Sequence, residues 1–268
     1  MIRYSEVAPA KLNLALHVRG SMPDGRHRLD TIFAFCIDGD TVEAEDADEL
    51  SLAVTGTFAE DLARAPNLVL DAAEALRREA QCNAGAALHL KKELPVASGI
   101  GGGSADAAAT LRLLTRLWKI DPAHAAAVAP RLGSDVPACL LSMSARGRGA
   151  GDELELLDDP GIAGTPVLLV NSRIPLSTGK VFAGWDSQDR GPIGDWRDGR
   201  NDLEASATGI VPEIGEVLAW LRARAGASFV RMSGSGATCF ALFDIEKARD
   251  SAAEAVPGHW WHLATVLR

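Results

Sequence analysis

Residues 95–105 read Pro-Val-Ala-Ser-Gly-Ile-Gly-Gly-Gly-Ser-Ala, and four of the five residues from Gly99 to Gly103 are glycine. No other segment limits the fold as strongly. It follows a β-rich run, Ala86 to Leu94. It precedes a helical pattern, Ser104 to Trp118, in which Ala107, Leu111, Leu114 and Trp118 recur at helical spacing. Glycine tolerates positive φ and lets the backbone come close to a ligand. A helix start offers unpaired N–H groups and the positive end of its dipole. Together these suit an anion, most naturally phosphates. The competing reading is a flexible linker, but a linker need not sit directly between a strand and a helix. The segment is not a Walker motif: Gly179-Lys180 has Ile174 where that motif needs glycine. Nor is it a dinucleotide fingerprint, because Ser104 stands at the third glycine position. The His-Arg-Asp and Asp-Phe-Gly tripeptides of protein kinases are absent.

Three further segments carry chemistry. In Pro9-Ala10-Lys11-Leu12-Asn13-Leu14, Lys11 and Asn13 point to one face of a strand. They fit charge stabilisation and orientation of a ligand hydroxyl, or a solvent-facing strand edge. In Leu132-Gly133-Ser134-Asp135-Val136-Pro137, Asp135 fits a helix N-cap or a catalytic acid. Met232 to Phe240 holds Ser233-Gly234-Ser235-Gly236-Ala237, which taken alone is a glycine hairpin between strands.

Composition excludes several classes. The net charge of −9 argues against nucleic acid or an anionic membrane as partner. The longest charge-free stretch, Pro160 to Ser172, has 13 residues and is broken by Pro and Gly, short of the roughly 20 needed to span a bilayer. Glu6, Pro9 and Lys11 interrupt the N-terminus where a signal peptide needs an apolar run. Cys36, Cys82, Cys139 and Cys239 form no CxxC pair and read as buried residues of a reducing compartment, so a cytoplasmic location is expected. His259 and His262 flank two Trp with no third ligand nearby and read as a terminal strand rather than a metal site.

Along the chain, the first 60 residues predict strands. Leu12, Leu14, Leu16 and Val18 alternate with Lys11, Asn13, Ala15 and His17, as in a half-buried strand with a polar face. Arg28 to Ile37 is a second β run. Asp38 to Leu50, with seven acids in 13 residues, reads as a solvated strand-loop edge. Asn67, after Pro66, predicts the N-cap of a helix to Gln81, and Asp121-Pro122 opens another that stops at Gly133. From Pro166 the order is β, α, β, β, α, β, with extra helical material after the first strand, the split-βαβ or ferredoxin-like pattern. Asp186 to Asn201 is the most loop-like stretch.

Taken in order, Pro9 to Leu14, Pro95 to Ala105 and Ser233 to Ala237 resemble the three signatures of the GHMP small-molecule kinases. That family phosphorylates sugars, mevalonate derivatives and homoserine. Asp24-Gly25-Arg26-His27, Gly133-Ser134-Asp135-Val136-Pro137, Ile174-Pro175, Ser177-Thr178, Val181-Phe182 and Asn201-Asp202 are similar to the branch that acts on a cytidine diphosphate ester of methylerythritol, in the non-mevalonate isoprenoid route. The resemblance implies an α+β GHMP kinase fold. Residues 1–158 would form a ribosomal-protein-S5-domain-2-like N-terminal domain and residues 159–268 a ferredoxin-like C-terminal domain.

The same resemblance implies roles. Lys11 and Asp135 would be the catalytic pair, with Asp135 accepting the proton of the attacking hydroxyl and Lys11 offsetting charge. Pro95, Val96, Ala97, Ser98, Gly99, Ile100, Gly101, Gly102, Gly103, Ser104 and Ala105 would bind ATP, with Asn67 and the Lys92 neighbourhood on the adenine side. Asn13 would orient the erythritol, His27 would bond the cytosine edge and Phe182 would stack on the ring. Mg²⁺ would accompany ATP, with Ser104 and Asp135 as candidate ligands. The partner would be the small-molecule substrate, not nucleic acid or membrane. One departure stands out: Arg26 occupies a place where the family commonly has Tyr. A guanidinium plane can stack on a base, contact a diphosphate or face solvent. The alternatives are another GHMP kinase, of homoserine or mevalonate type, and a catalytically silent nucleotide-binding protein of that fold.

Overall fold

The computed structural model describes residues 3–62, 67–158 and 161–268. Pro66, Pro160 and the first residue after the expected division at 158/159 lie outside these ranges. In chain order the described elements are β1 (Arg3–Ser21), β2 (His27–Ala47), β3 (Leu50–Thr55), α1 (Ala59–Leu62), α2 (Leu68–Glu79), β4 (Gly85–Lys91), α3 (Gly102–Trp118), α4 (Pro122–Leu132), α5 (Val136–Leu141), β5 (Ala145–Arg148) and β6 (Glu153–Leu156). There follow β7 (Pro166–Asn171), α6 (Thr178–Ala183), α7 (Glu204–Ile210), α8 (Glu213–Arg222), β8 (Ala227–Met232), β9 (Cys239–Phe243), α9 (Glu246–Glu254) and β10 (Trp261–Val266). They group into two compact units, each assembled from separated stretches of chain, and β1 and β2 run through both.

The first unit holds the chain up to Ala10, Asp38–Val96 and Gly101–Ser142. Here the far half of β2 pairs antiparallel with β4, from Thr41↔Lys91 to Ala47↔Gly85, and β3 runs parallel to β4. Parallel neighbours need a crossover, and α2 supplies it. Asn67 caps α2 by accepting from Val69 N, and Asp121 caps α4 by accepting from Ala123 N, both as predicted. Helix α3 buries ten consecutive or near-consecutive residues from Ala105 to Thr115, so α2, α4 and α5 pack around it. It begins at Gly102, two residues before the expected Ser104. The first-turn N–H groups have no intrahelical partner, so low helix propensity costs little there.

The solvated edge expected at Asp38 to Leu50 is only partly correct. β2 continues to Ala47, and although Asp38, Asp46, Asp48 and Glu49 are exposed, Asp40 is buried. Asp40 is inside because it meets a buried lysine and two backbone N–H groups.

The second unit holds Lys11–Ile37, Ala97–Ile100 and the described residues from Met143 to Arg268. β2 pairs with β5 through Thr31↔Gly147 and Phe33↔Ala145, and β5 pairs with β6. A four-stranded antiparallel sheet in the order β10-β7-β9-β8 carries α8 and α9. Numbering its strands by sequence gives 4-1-3-2, the ferredoxin-like arrangement predicted from the element order. Its core joins Leu168 and Val170 of β7, Ile214, Val217, Leu218 and Leu221 of α8, and Leu16 and Val18 of β1. The extra helical material after β7 is α6 and α7.

Candidate active site

The polar face of β1 does not face water. Lys11 and Asn13 are each only 3% exposed, and Ala15 and His17 are buried beside them. A buried charge or amide is tolerated only with partners. Lys11 Nζ donates to Asn13 Oδ1 at 2.9 Å and lies 5.2 Å from the centre of the Phe33 ring. Asn13 Nδ2 donates to Thr31 Oγ1 at 2.7 Å, and Thr31 passes the chain on to Ala15 O at 2.7 Å. This decides between the two readings of the strand: its polar face is an internal network, not a solvent-facing edge.

The same strand is tied to the glycine segment and to the C-terminal glycine motif. Lys11 N donates to Ile100 O at 2.9 Å, and Thr238 N donates to Ser98 O at 3.1 Å. Ser233 Oγ accepts from Asn13 N at 3.1 Å and donates to Gly99 O at 3.0 Å. Gly99 has φ +76°, and a Cβ there would fall 2.5 Å from Ser233 O. Only glycine meets both the left-handed backbone and the close approach. Ser233 links all three signatures, a role that the hairpin reading of Met232 to Phe240 did not reveal.

His27 and Phe182 are neighbours. Their rings stack at 4.7 Å with an interplanar angle of 29°. Trp185, absent from the sequence-based list, sets its ring edge-on to His27 at 5.8 Å. Arg26 is exposed. Its guanidinium pairs with Asp24 at 2.7 Å and approaches Asp152 at 3.7 Å. The Arg26 backbone N–H, then its guanidinium, hold the Asp24 carboxyl below its usual range. Arg231 donates to Leu14 O, Trp196 O and Gly199 O, joining β1 to the long loop at Asp186 to Asn201. Burial brings its guanidinium down to about 10.

In the first unit, Gly101 adopts φ +67° and leads into α3, so Gly102, Gly103, Ser104 and Ala105 form its first turn. Asp135 occupies the N-cap position of α5, yet its side chain makes no capping hydrogen bond. Asn67 Oδ1 is engaged with Val69 N at 3.0 Å. Lys92 is 1% exposed, with its ammonium held 2.6 Å from both Asp40 and Asp106. Sequence reasoning missed this cluster. One signal was present: Asp106 is the sole charged residue between Glu93 and Arg112.

Comparisons with known proteins give the family. Residues 67–143 match the family model of the GHMP kinases N terminal domain, and residues 186–261 match that of the GHMP kinases C terminal domain. The chain belongs to the GHMP kinases. It is an enzyme of a phosphotransferase family that uses ATP. Among relatives of this GHMP kinase, 4-diphosphocytidyl-2-C-methyl-D-erythritol kinase of Rhizorhabdus wittichii is 50% identical, over 98% of this chain and 94% of that protein. The enzyme of the same name from Novosphingobium aromaticivorans is also 50% identical, over 98% and 92%. A crystal structure of 4-(cytidine 5'-diphospho)-2C-methyl-D-erythritol kinase superposes with a TM-score of 0.83 at 31% identity, covering 98% of this chain and 99% of the other. Homoserine kinase from Cytophaga hutchinsonii shares the fold, at a TM-score of 0.69 and 16% identity over 99% and 95%.

Proposed function

We propose that this GHMP kinase transfers the γ-phosphoryl group of ATP to the 2-hydroxyl of 4-diphosphocytidyl-2-C-methyl-D-erythritol, in the non-mevalonate route to isoprenoid precursors. The observation that carries this reading is the likeness along the whole chain, at 50% identity, to kinases named for that substrate. The closeness of two aromatic side chains, His27 and Phe182, supports it, because a base needs an aromatic face and an edge partner, and homoserine and mevalonate contain no base.

Phosphoryl transfer is mostly positioning and charge stabilisation. Asp135 accepts the proton of the attacking hydroxyl, late, as attack makes that proton acidic. Lys11 offsets the charge that develops, and the buried amide network around Asn13 keeps its ammonium in one place while Asn13 orients the polyol. Pro95 to Ala105 wraps the phosphates with backbone N–H groups and the start of α3, and Asn67 lies on the adenine side. His27 reads the cytosine edge and Phe182 stacks on its face. Arg26, already paired with Asp24, lines the base site from solvent. Mg²⁺ bound with ATP would draw on one or two hard oxygen donors, which the Ser104 hydroxyl and the Asp135 carboxylate supply, and would neutralise the β- and γ-phosphate oxygens. The N-terminal and C-terminal domains divide at 158/159, and the enzyme works in the cytoplasm. Among the described residues no helix is long and apolar enough to cross a membrane.

An acceptor panel with ATP tests the reading. Phosphate should pass to the cytidine diphosphate ester. Transfer to homoserine or mevalonate, with none to the cytidine compound, would overturn it.

A further inference from the structure

Lys92, whose neighbourhood the family resemblance places on the adenine side, has its own side chain locked in a buried ionic cluster of the first unit. Lys92 follows the last residue of β4, Asp40 lies on β2 and Asp106 is in the second turn of α3. None is more than 2% exposed. Lys92 Nζ donates to Asp40 Oδ2 and Asp106 Oδ2, both at 2.6 Å. The other Asp40 oxygen accepts from Glu93 N at 2.6 Å and Leu94 N at 2.8 Å, the two residues that lead into Pro95. At the far side of the glycine segment, a Cβ on Gly102 would lie 3.1 Å from Lys92 Nζ. The main chain of Lys92 is fixed as well: its N–H donates to Thr55 O at 2.7 Å and its carbonyl accepts from Phe58 N at 3.0 Å.

Stability does not explain this cluster. Replacing a buried ionic group by apolar residues of similar volume is often neutral or stabilising, so its directional bonds are what distinguish it. Two carboxylates share one ammonium in the interior. Burial, with the nearby Asp40 charge adding to it and Lys92 opposing, raises the Asp106 carboxyl to about 7. Burial lowers the Lys92 ammonium, but Asp106 and Asp40 outweigh it and leave the lysine firmly protonated. The remaining oxygen, Asp106 Oδ1, is buried with no hydrogen-bond partner among the described residues. The side-chain bonds of the cluster tie Asp40 to the residues before Pro95 and tie Lys92 to the beginning of α3.

We propose that Lys92 is a positioning residue for the nucleotide: through Asp40 and Asp106 it fixes both ends of the glycine segment, and so sets nucleotide affinity without touching the nucleotide. This rests on reading Pro95 to Ala105 as the ATP loop. A displacement of about 1 Å in positioning groups can cost about a hundredfold, so slack at either end would weaken phosphate binding before it disturbed the rest of the unit.

The test uses Asp106→Ala, which releases α3 but leaves the Lys92–Asp40 pair balanced in charge. Titration with a non-hydrolysable ATP analogue should show affinity falling about tenfold or more, and KM for ATP should rise well beyond any change in kcat or in KM for the acceptor. Asp106→Asn, whose amide oxygen still accepts from Lys92, should recover most of the affinity. Unchanged affinity in Asp106→Ala overturns the proposal, and so does an equal loss of ATP and acceptor affinity, which marks general loosening. Gly99→Val serves as the control for the loop itself. If it too leaves ATP binding intact, the loop assignment falls together with the proposal. If it abolishes binding while Asp106→Ala does not weaken it, only the role of Lys92 falls.

Discussion

At the scale of single residues, the chemistry rests on side chains whose surroundings hold them in one state. Lys11 is the clearest case, since its ammonium is buried against an amide and an aromatic face. Asp135 differs: it stands at a helix start without capping it. Its replacement by the isosteric amide changes charge but hardly shape, and so separates catalysis from fold. Asp135→Asn should lose about 10²–10⁴-fold in kcat, with an unchanged far-UV spectrum; turnover near wild type would remove it from the mechanism. The spacing of Lys11 and Asn13 was legible in the sequence, but their burial was not. An alternating strand looks half-exposed until its partners are known, and Thr31 and Ser233 come from distant parts of the chain. Asp106 stood out only as an isolated charge, for the same reason: its meaning lies in Asp40 and Lys92, on other elements. Arg26 was legible as a departure, and the structure adds that Asp24 and Asp152 hold its guanidinium at the surface.

At the scale of elements, local rules succeeded where local interactions decide. The caps at Asn67 and Asp121 and the β, α, β, β, α, β order were all readable. Helices α6 and α7, of six and seven residues, are too short to show a period, and their formation depends on packing. The long loop at Asp186 to Asn201 is a loop, but an anchored one. His17 of β1 donates from Nδ1 to Gly191 O at 2.9 Å, and Nε2 accepts from Arg200 N at 3.3 Å. That arrangement requires the neutral ring. Burial first, and Arg200 with it, lower the His17 imidazole below its usual range, against the raising effects of Gly191, Asp202 and Asp30. The native state thus binds fewer protons than the unfolded chain below about pH 6.5. The contribution of His17 is complete above that pH and is lost as pH falls through the lower native value. Denaturant midpoints for wild type and His17→Ala should differ more at pH 8 than at pH 5.5. A gap independent of pH would show that the ring titrates normally.

At the scale of the whole molecule, a net charge of −9 is compatible with polyphosphate ligands because the proposed site depends on backbone N–H groups, a helix start and a few placed cations. The two family models match residues 67–143 and 186–261, yet the second compact unit also draws Leu16 and Val18 of β1 into its core. Without them, residues 159–268 would expose the apolar face that those side chains cover. That segment expressed alone should lack a cooperative thermal transition and should bind a hydrophobic dye. A sharp transition would show that the C-terminal half carries a sufficient core of its own.

The bonds from Lys11 N to Ile100 O, from Thr238 N to Ser98 O and from Ser233 Oγ to Gly99 O have an entropic consequence. Ordering a free backbone gives up roughly 1–2 kcal/mol per residue. Residues 98–100 surrender that freedom during folding, before any nucleotide arrives. A ligand that settles on them meets a mould already set, and its affinity is not diluted by the work of shaping one.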